Sequence, residues 1–543
     1  MLNYKQEELT AKQFTFHFNS VLNKTDAKAE SLRMTSRTQK MASACMALFV
    51  GAAVLLSFYL TLCYAFWKKR GVRTAEGMVP LFGHMLPVMA GKISIGEFIS
   101  KLYNKYKDCS MVGLYQLTTP ALLVRDPELV KTVLQSNFSS FHENAAKIDP
   151  AVDPLVAGNP FFNSGDVWAT GRKRLTQAFS NAKLKILFMT VKGVCKKFQD
   201  YLDRRLKSHN GRYEVELKGL FSKFTGEVVS NSGLGIEGHC FDEEKHPMAT
   251  DVIGKEVFEP SFFNGFLQSI VFVIPMINKV LRLSLLPKHL DRYFRHVVSE
   301  NVKMRQTESV VRQDFLQLSI EQLQADGQPL DEEALVSHAL SFFFDGYETS
   351  SVTLSFIGYQ LAAHTDVQER LRDEINSTVA KHNGELTFEA LKEMTYMDQV
   401  INESLRRYSV AGVLIKVCTE EFVLNGSDGI SCRVTPGTRI MIPIQGLQND
   451  PKYWENPEVF DPERFNEERK QNIVKMTFIP FGEGPRICVG MRMALLQIKA
   501  CLCVLLMKYR LEMSSKTKQP VKLSVSGLLA YPIGGFWVHL SKV

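Results

Sequence analysis

An uncharged run of 27 residues, Met41 to Trp67, limits what this chain can fold into more than any other feature in it. Hydrocarbon offers no water to satisfy exposed backbone groups, so a span of this kind must be helical, and about 20 apolar residues suffice to cross. Lys68, Lys69, Arg70 and Arg73 follow at once. Despite Arg33, Arg37 and Lys40 on the other flank, such a positive cluster favours a body on the cytosolic side. The sequence therefore reads as a transmembrane anchor over 41–67, a linker over 68–80 and one body over 81–543. Residues 1–40 are polar, mixed in charge and without a strong period, and read as a mostly disordered extension. Met41 offers an alternative start that would leave them out. A cleaved signal peptide fits less well, because the run is long and no small-x-small site follows it.

With 543 residues, 45% of them hydrophobic, the chain has enough apolar side chains for a large core. Its ten cysteines are scattered without framework spacing, which suits a reduced, cytosol-facing protein and argues against a structural zinc. The net charge of +8 reads either as a lysine-rich surface or as a basic face for anionic phospholipid and an acidic redox partner. No basic run with interleaved aromatics points to nucleic acid. Strand-like alternation occupies Met111–Leu117 and Ala121–Val124, and Asp126-Pro127-Glu128 begins a helix. A long helical pattern runs from Asp331 to about His364.

The densest chemistry lies near the C-terminus, in Phe481-Gly482-Glu483-Gly484-Pro485-Arg486-Ile487-Cys488-Val489-Gly490, which leads into an apolar helical pattern ending at Tyr509. A thiolate at Cys488 is a soft anionic metal ligand. The helix after it points its positive end at the sulfur. Gly484 and Gly490 let the backbone approach a flat cofactor, Arg486 suits a carboxylate, and Phe481 could shield the sulfur. A single buried cysteine is ordinarily a small core residue. Here five fixed residues in the spacing Phe-x-x-Gly-x-Arg-x-Cys-x-Gly outweigh that reading, and the string resembles the haem-ligand loop of the cytochrome P450 family.

Other segments carry the same resemblance. Trp168-x-x-x-Arg172 resembles the family's third helix, whose indole N–H and guanidinium meet a haem propionate. Asp345-Gly346-Tyr347-Glu348-Thr349-Ser350 resembles the central-helix motif, in which Glu348 passes protons and Thr349 hydrogen-bonds dioxygen, with Gly346 giving a local kink. Glu403-x-x-Arg406 with Arg464 resembles the charged triad that holds the fold around the haem. Lys416 stands where a propionate-binding arginine is common. Uncharged Pro260–Ile277 resembles the lip over the substrate pocket. Asp345 departs from the usual small residue and suits a polar or cationic substrate; Ser409-Val410 replace the prolines expected after Arg406.

The resemblance implies a mainly α fold with a small β lobe and an N-terminal transmembrane helix. It implies haem b, iron protoporphyrin IX, with Cys488 as axial thiolate and with Trp168, Arg172, Lys416, Phe481 and Arg486 around it. The implied activity is that of a microsomal monooxygenase, most like the insect detoxification group, acting on a small lipophilic substrate. Electrons would come from NADPH–cytochrome P450 reductase, with cytochrome b5 as an optional second donor, at the endoplasmic reticulum membrane with the catalytic body facing the cytosol. Two other activities fit the same residues: a reductase-independent isomerase or dehydratase, and haem or ligand binding without turnover.

Overall fold

The computed structural model describes residues 2–244, 246–259, 282–307, 312–325, 331–524 and 529–543. It forms two units, Met1–Phe66 and Trp67–Val543. Pro260–Ile277, expected at the pocket lip, lies outside the described residues.

The first unit is a single helix, Leu2–Tyr64. The expected disordered extension over 1–40 is instead helical. No glycine or proline occurs before Gly51, so nothing breaks backbone propagation between the polar and apolar parts. Its C-terminal part belongs to a stretch, Thr38–Arg70, that by length and composition can cross a membrane.

The expected linker over 68–80 is not free chain. Trp67 is fully buried, and its indole N–H donates to the Leu114 carbonyl at 2.9 Å. Gly113 makes room for it, since a Cβ there would meet the indole at 2.4 Å. Ala75 and Gly113 then exchange the chain into the sheet, the Ala75 N–H reaching the Gly113 carbonyl at 2.8 Å. The tryptophan read as the end of the anchor is thus a core residue of the second unit.

That unit is mainly helical. Its five-stranded sheet has the order β1-β2-β8-β5-β3, with β1 Met111–Gln116, β2 Thr119–Val124, β3 Glu143–Asn144, β5 Leu414–Val417 and β8 Arg439–Ile442. Only the β2–β8 pairing within this sheet is parallel. Register places Lys416 opposite Asn144. A second sheet joins β4 Arg212–Glu216, β10 Trp537–Lys542 and β9 Tyr509–Met513, and a hairpin joins β6 Phe422–Asn425 to β7 Ser431–Val434.

The helix Glu332–Ala363 runs through the core. Asp331 caps it by accepting from the Ala334 N–H at 3.1 Å, and Glu332 and Glu333 fill its acidic first turn. It is apolar on nearly every side, as a helix packed all round must be. It stays α-helical through Gly346, where a Cβ would lie 3.2 Å from Val229, so this glycine serves close packing. The helix Met491–Lys508 is tied to it by Gln497, whose amide donates to the Gly346 carbonyl at 3.2 Å and the Ser350 hydroxyl at 2.8 Å.

Glu403 and Arg406, one helical turn apart on Thr395–Arg407, are joined by Arg464, 3.4 Å from the Glu403 carboxylate. The structure therefore assembles the expected triad.

Candidate functional site

The loop before Met491–Lys508 is folded tightly. The Cys488 N–H donates to the Phe481 carbonyl at 2.9 Å, closing the loop around the short turn Gly484–Arg486. Gly484 has φ +73°, and a Cβ on it would fall 1.9 Å from the Leu134 carbonyl oxygen. No other residue type fits there. Phe481 is partly buried against the core.

Cys488 is accessible, yet burial pushes its thiol up to about 11. The Gly490 and Met491 N–H groups and Arg172 act in the opposite direction, and the Asp345 charge pushes it further up. A group that is both reachable and desolvated lines an internal void. Asp345 has the same character: its surface is open, yet burial raises its carboxyl to about 6. Its charge acts on the Cys488 sulfur, so the two groups lie near one another, Cys488 on the loop and Asp345 on the central helix. Metal coordination would remove the thiol proton outright, whatever its pKa in the free protein.

Around this void sit Arg172, Arg486 and Lys416, none of which forms an ion pair among the described residues, although the Glu143 charge acts on Arg486. Trp168 and Arg172 share a face of Gly165–Ala178. The Arg172 guanidinium donates to the Ile487 carbonyl at 2.6 Å, next to Cys488. Arg486 lies over the Trp168 ring at 4.3 Å and donates to the Pro160 and Asn163 carbonyls at 3.2 and 2.8 Å, while its buried Nε has no partner among the described residues. Burial lowers its guanidinium to about 10. Lys416, 3% exposed, donates to the Asn144 side-chain oxygen at 2.8 Å. Burial, with Arg486 beside it, brings its ammonium down to about 7. An arrangement that penalises its own cations this way favours an incoming anion.

The two acids of the central helix have different surroundings. Glu348 is fully buried and does not open onto the void. Its Oε1 accepts from the Tyr531 hydroxyl at 2.5 Å and lies 3.2 Å from Lys218, which also pairs with Glu259 at 2.6 Å; among the described residues Oε2 has no partner. Burial raises the Glu348 carboxyl, and Lys218 and Tyr531 oppose that shift. The Thr349 hydroxyl turns back to the Asp345 carbonyl of its own helix. Among the described residues Asp345 is held only by Asn159, whose amide nitrogen lies 3.1 Å from each carboxylate oxygen.

The expected residues Trp168, Arg172, Lys416, Arg486 and Cys488 are thus brought together. Glu348 is instead set into a buried cluster behind Thr349. Sequence reading missed Asn144, Asn159, Lys218 and Tyr531. Only Asn144 carried a usable signal, through its strand register with Lys416.

A family profile described as Cytochrome P450 matches residues 75–537. Cytochrome P450 9e2 of Blattella germanica is 33% identical over 520 residues, covering 90% of this chain and 96% of that protein. Cytochrome P450 6a2 of Drosophila melanogaster is 30% identical over 508 residues, with 91% and 99% coverage. Cytochrome P450 6B2 of Helicoverpa armigera is 30% identical over 500 residues, with 90% and 96% coverage.

Proposed function

The chain belongs to the cytochrome P450 family, and on that premise we propose that Cys488 is the thiolate ligand of its haem. As a family member the chain is a haem-dependent monooxygenase, an oxidoreductase whose cofactor has an axial cysteine thiolate. The observation that carries the assignment is accessibility. Among the described residues of Trp67–Val543, Cys488 is the one exposed cysteine, the other seven being buried. When bound, the haem supplies the activation of dioxygen, one atom of which enters the substrate.

The residues present fit such a group. Among the described residues the buried Arg486 Nε has no acceptor, and burial, with Arg486 beside it, lowers the Lys416 ammonium to about 7. Arg172, Arg486 and Lys416, with the Trp168 indole, would hold the propionate carboxylates. Lysine at 416 pairs as a point charge, without the two-pronged geometry of arginine. Phe481 closes the loop over the cysteine. Glu348 is the proton-relay acid in this reading: burial raises its carboxyl, its Oε2 has no partner among the described residues, and Lys218 and Tyr531 fix its position. Thr349, the next residue on the helix, carries the hydroxyl that would follow Glu348 in such a relay; its Oγ1 donates to the Asp345 carbonyl.

The electron source in this reading is NADPH through cytochrome P450 reductase, docking on the basic side that carries Lys173 and Arg174, with cytochrome b5 as an optional second donor. The substrate is a small lipophilic molecule, an insect hormone or a xenobiotic such as an insecticide. The anchor places the enzyme in the endoplasmic reticulum membrane with its body toward the cytosol. The apolar stretch Thr38–Arg70 and the insect relatives support this.

The test is spectroscopic. Reduced protein with carbon monoxide should give the band of thiolate-ligated haem, and Cys488→Ala should lose it. A band that persists in the variant refutes the ligand assignment. Substrate-dependent NADPH consumption with added reductase tests the turnover and its electron source.

A further inference from the structure

The two acids on the central helix lie only three residues apart, yet they differ in one respect that bears on what this enzyme binds. Glu348 has its own cation, Lys218, at 3.2 Å. Asp345 has none: among the described residues no lysine, arginine or histidine lies within ion-pair distance, and Asn159 is its one polar partner. Asp345 is also the acid whose surface is open to the void. The cations on the void wall, Arg172, Arg486 and Lys416, are matched to the carboxylates of the cofactor and stand on the side of Cys488, not of Asp345.

Asn159 positions this carboxylate without neutralising it. Its single amide nitrogen lies 3.1 Å from both oxygens, so each keeps acceptor capacity. The Asn159 side-chain oxygen is itself occupied by the Phe161 N–H at 2.8 Å, which fixes the amide orientation. A carboxylate fixed in place and without a cation of its own is a seat for a ligand that brings the missing charge. A neutral lipophilic ligand of equal shape leaves it unpaired.

We propose that the void beside Asp345 selects amphipathic cations, lipophilic molecules carrying a basic or quaternary nitrogen, with Asp345 as the specificity-determining residue and Asn159 as its positioning residue. This deepens the monooxygenase reading and rests on it, because the void is taken as the substrate side of the haem.

The test uses purified holoenzyme and a matched pair of probes. Benzyltrimethylammonium has a permanent charge and no lone pair, so it cannot coordinate iron; neopentylbenzene is its neutral counterpart. Equilibrium dialysis should show at least about 10-fold tighter binding of the cation in the native protein, as expected for one ion pair away from bulk water. Asp345→Asn and Asp345→Ala should abolish that preference while neopentylbenzene still binds, and Asp345→Glu should retain part of it. Equal affinities in the native protein, or a preference that survives Asp345→Asn, overturns the proposal. The carbon monoxide band is recorded on every variant. A missing band in the native protein counts against the haem-thiolate reading, whereas a normal band with no cation preference counts against the present one alone.

Discussion

Arg406 donates to both oxygens of Glu403, at 2.7 and 2.8 Å, and no solvent reaches either side chain. The remaining donors of Arg406 go to the Gln448 and Pro457 carbonyls at 2.9 and 2.8 Å, and Glu403 also accepts from the Asp461 N–H at 3.1 Å. The pair therefore knits a helix to two distant loops. Removing one partner leaves the other buried and charged. Glu403→Ala or Arg406→Ala should cost about 3–5 kcal/mol. A urea midpoint and haem retention on gel filtration check this; a variant with native values would contradict it.

Gly484 carries a second structural prediction. Gly484→Ala forces a side chain into φ +73° and against the Leu134 carbonyl. The backbone conformation alone costs on the order of 1 kcal/mol, and the collision adds to it. The loop holding Cys488 would have to shift. Haem content per protein should fall, while circular dichroism keeps its helical signal.

Lys416 gives a pH dependence. Its ammonium ionises near 10.5 when unfolded and about 7 when folded without haem. Between those values the unfolded chain binds more protons, so the stability of the haem-free protein rises with pH across that window and is lowest below pH 7. The full effect is on the order of several kcal/mol. Lys416→Met should flatten the profile of melting temperature against pH. A propionate restores the charged form, so haem uptake should bind a proton in the same window and weaken as pH rises through it.

Glu348 is tested apart from cofactor binding. Glu348→Gln keeps the shape and removes the proton. Product formation should drop about 100-fold, the usual scale for losing a general acid. The carbon monoxide band should remain, and NADPH consumption should continue without product. Tyr531→Phe removes only the 2.5 Å hydrogen bond and should have a smaller effect of the same kind. Loss of the band in Glu348→Gln would instead mean a structural role.

Much of this site could be read along the chain because its chemistry is local. Five fixed residues within ten positions give the Cys488 loop, and four-residue spacing puts Trp168 and Arg172 on one face. Asp331 and the acidic turn after it mark the start of the central helix. The partners of the two central acids could not be read in that way. Asn159 is 186 residues from Asp345, and Tyr531 is 183 from Glu348. Such pairs are set by the topology that carries a loop or a late turn back onto the helix, and no local pattern records it. The first 40 residues were misjudged for the opposite reason. Mixed charge suggests disorder, but a stretch free of glycine and proline keeps its helical propensity. Trp67 looked like the last residue of the apolar run because hydropathy alone does not distinguish lipid from a protein core.

Gln497 stands behind the void and holds both of its sides. Its amide reaches Gly346, the neighbour of Asp345, while its own helix begins three residues after Cys488. One side chain thus couples the helix that follows the cysteine loop to the turn that carries Asp345, so a substitution at Gln497 would loosen both at once.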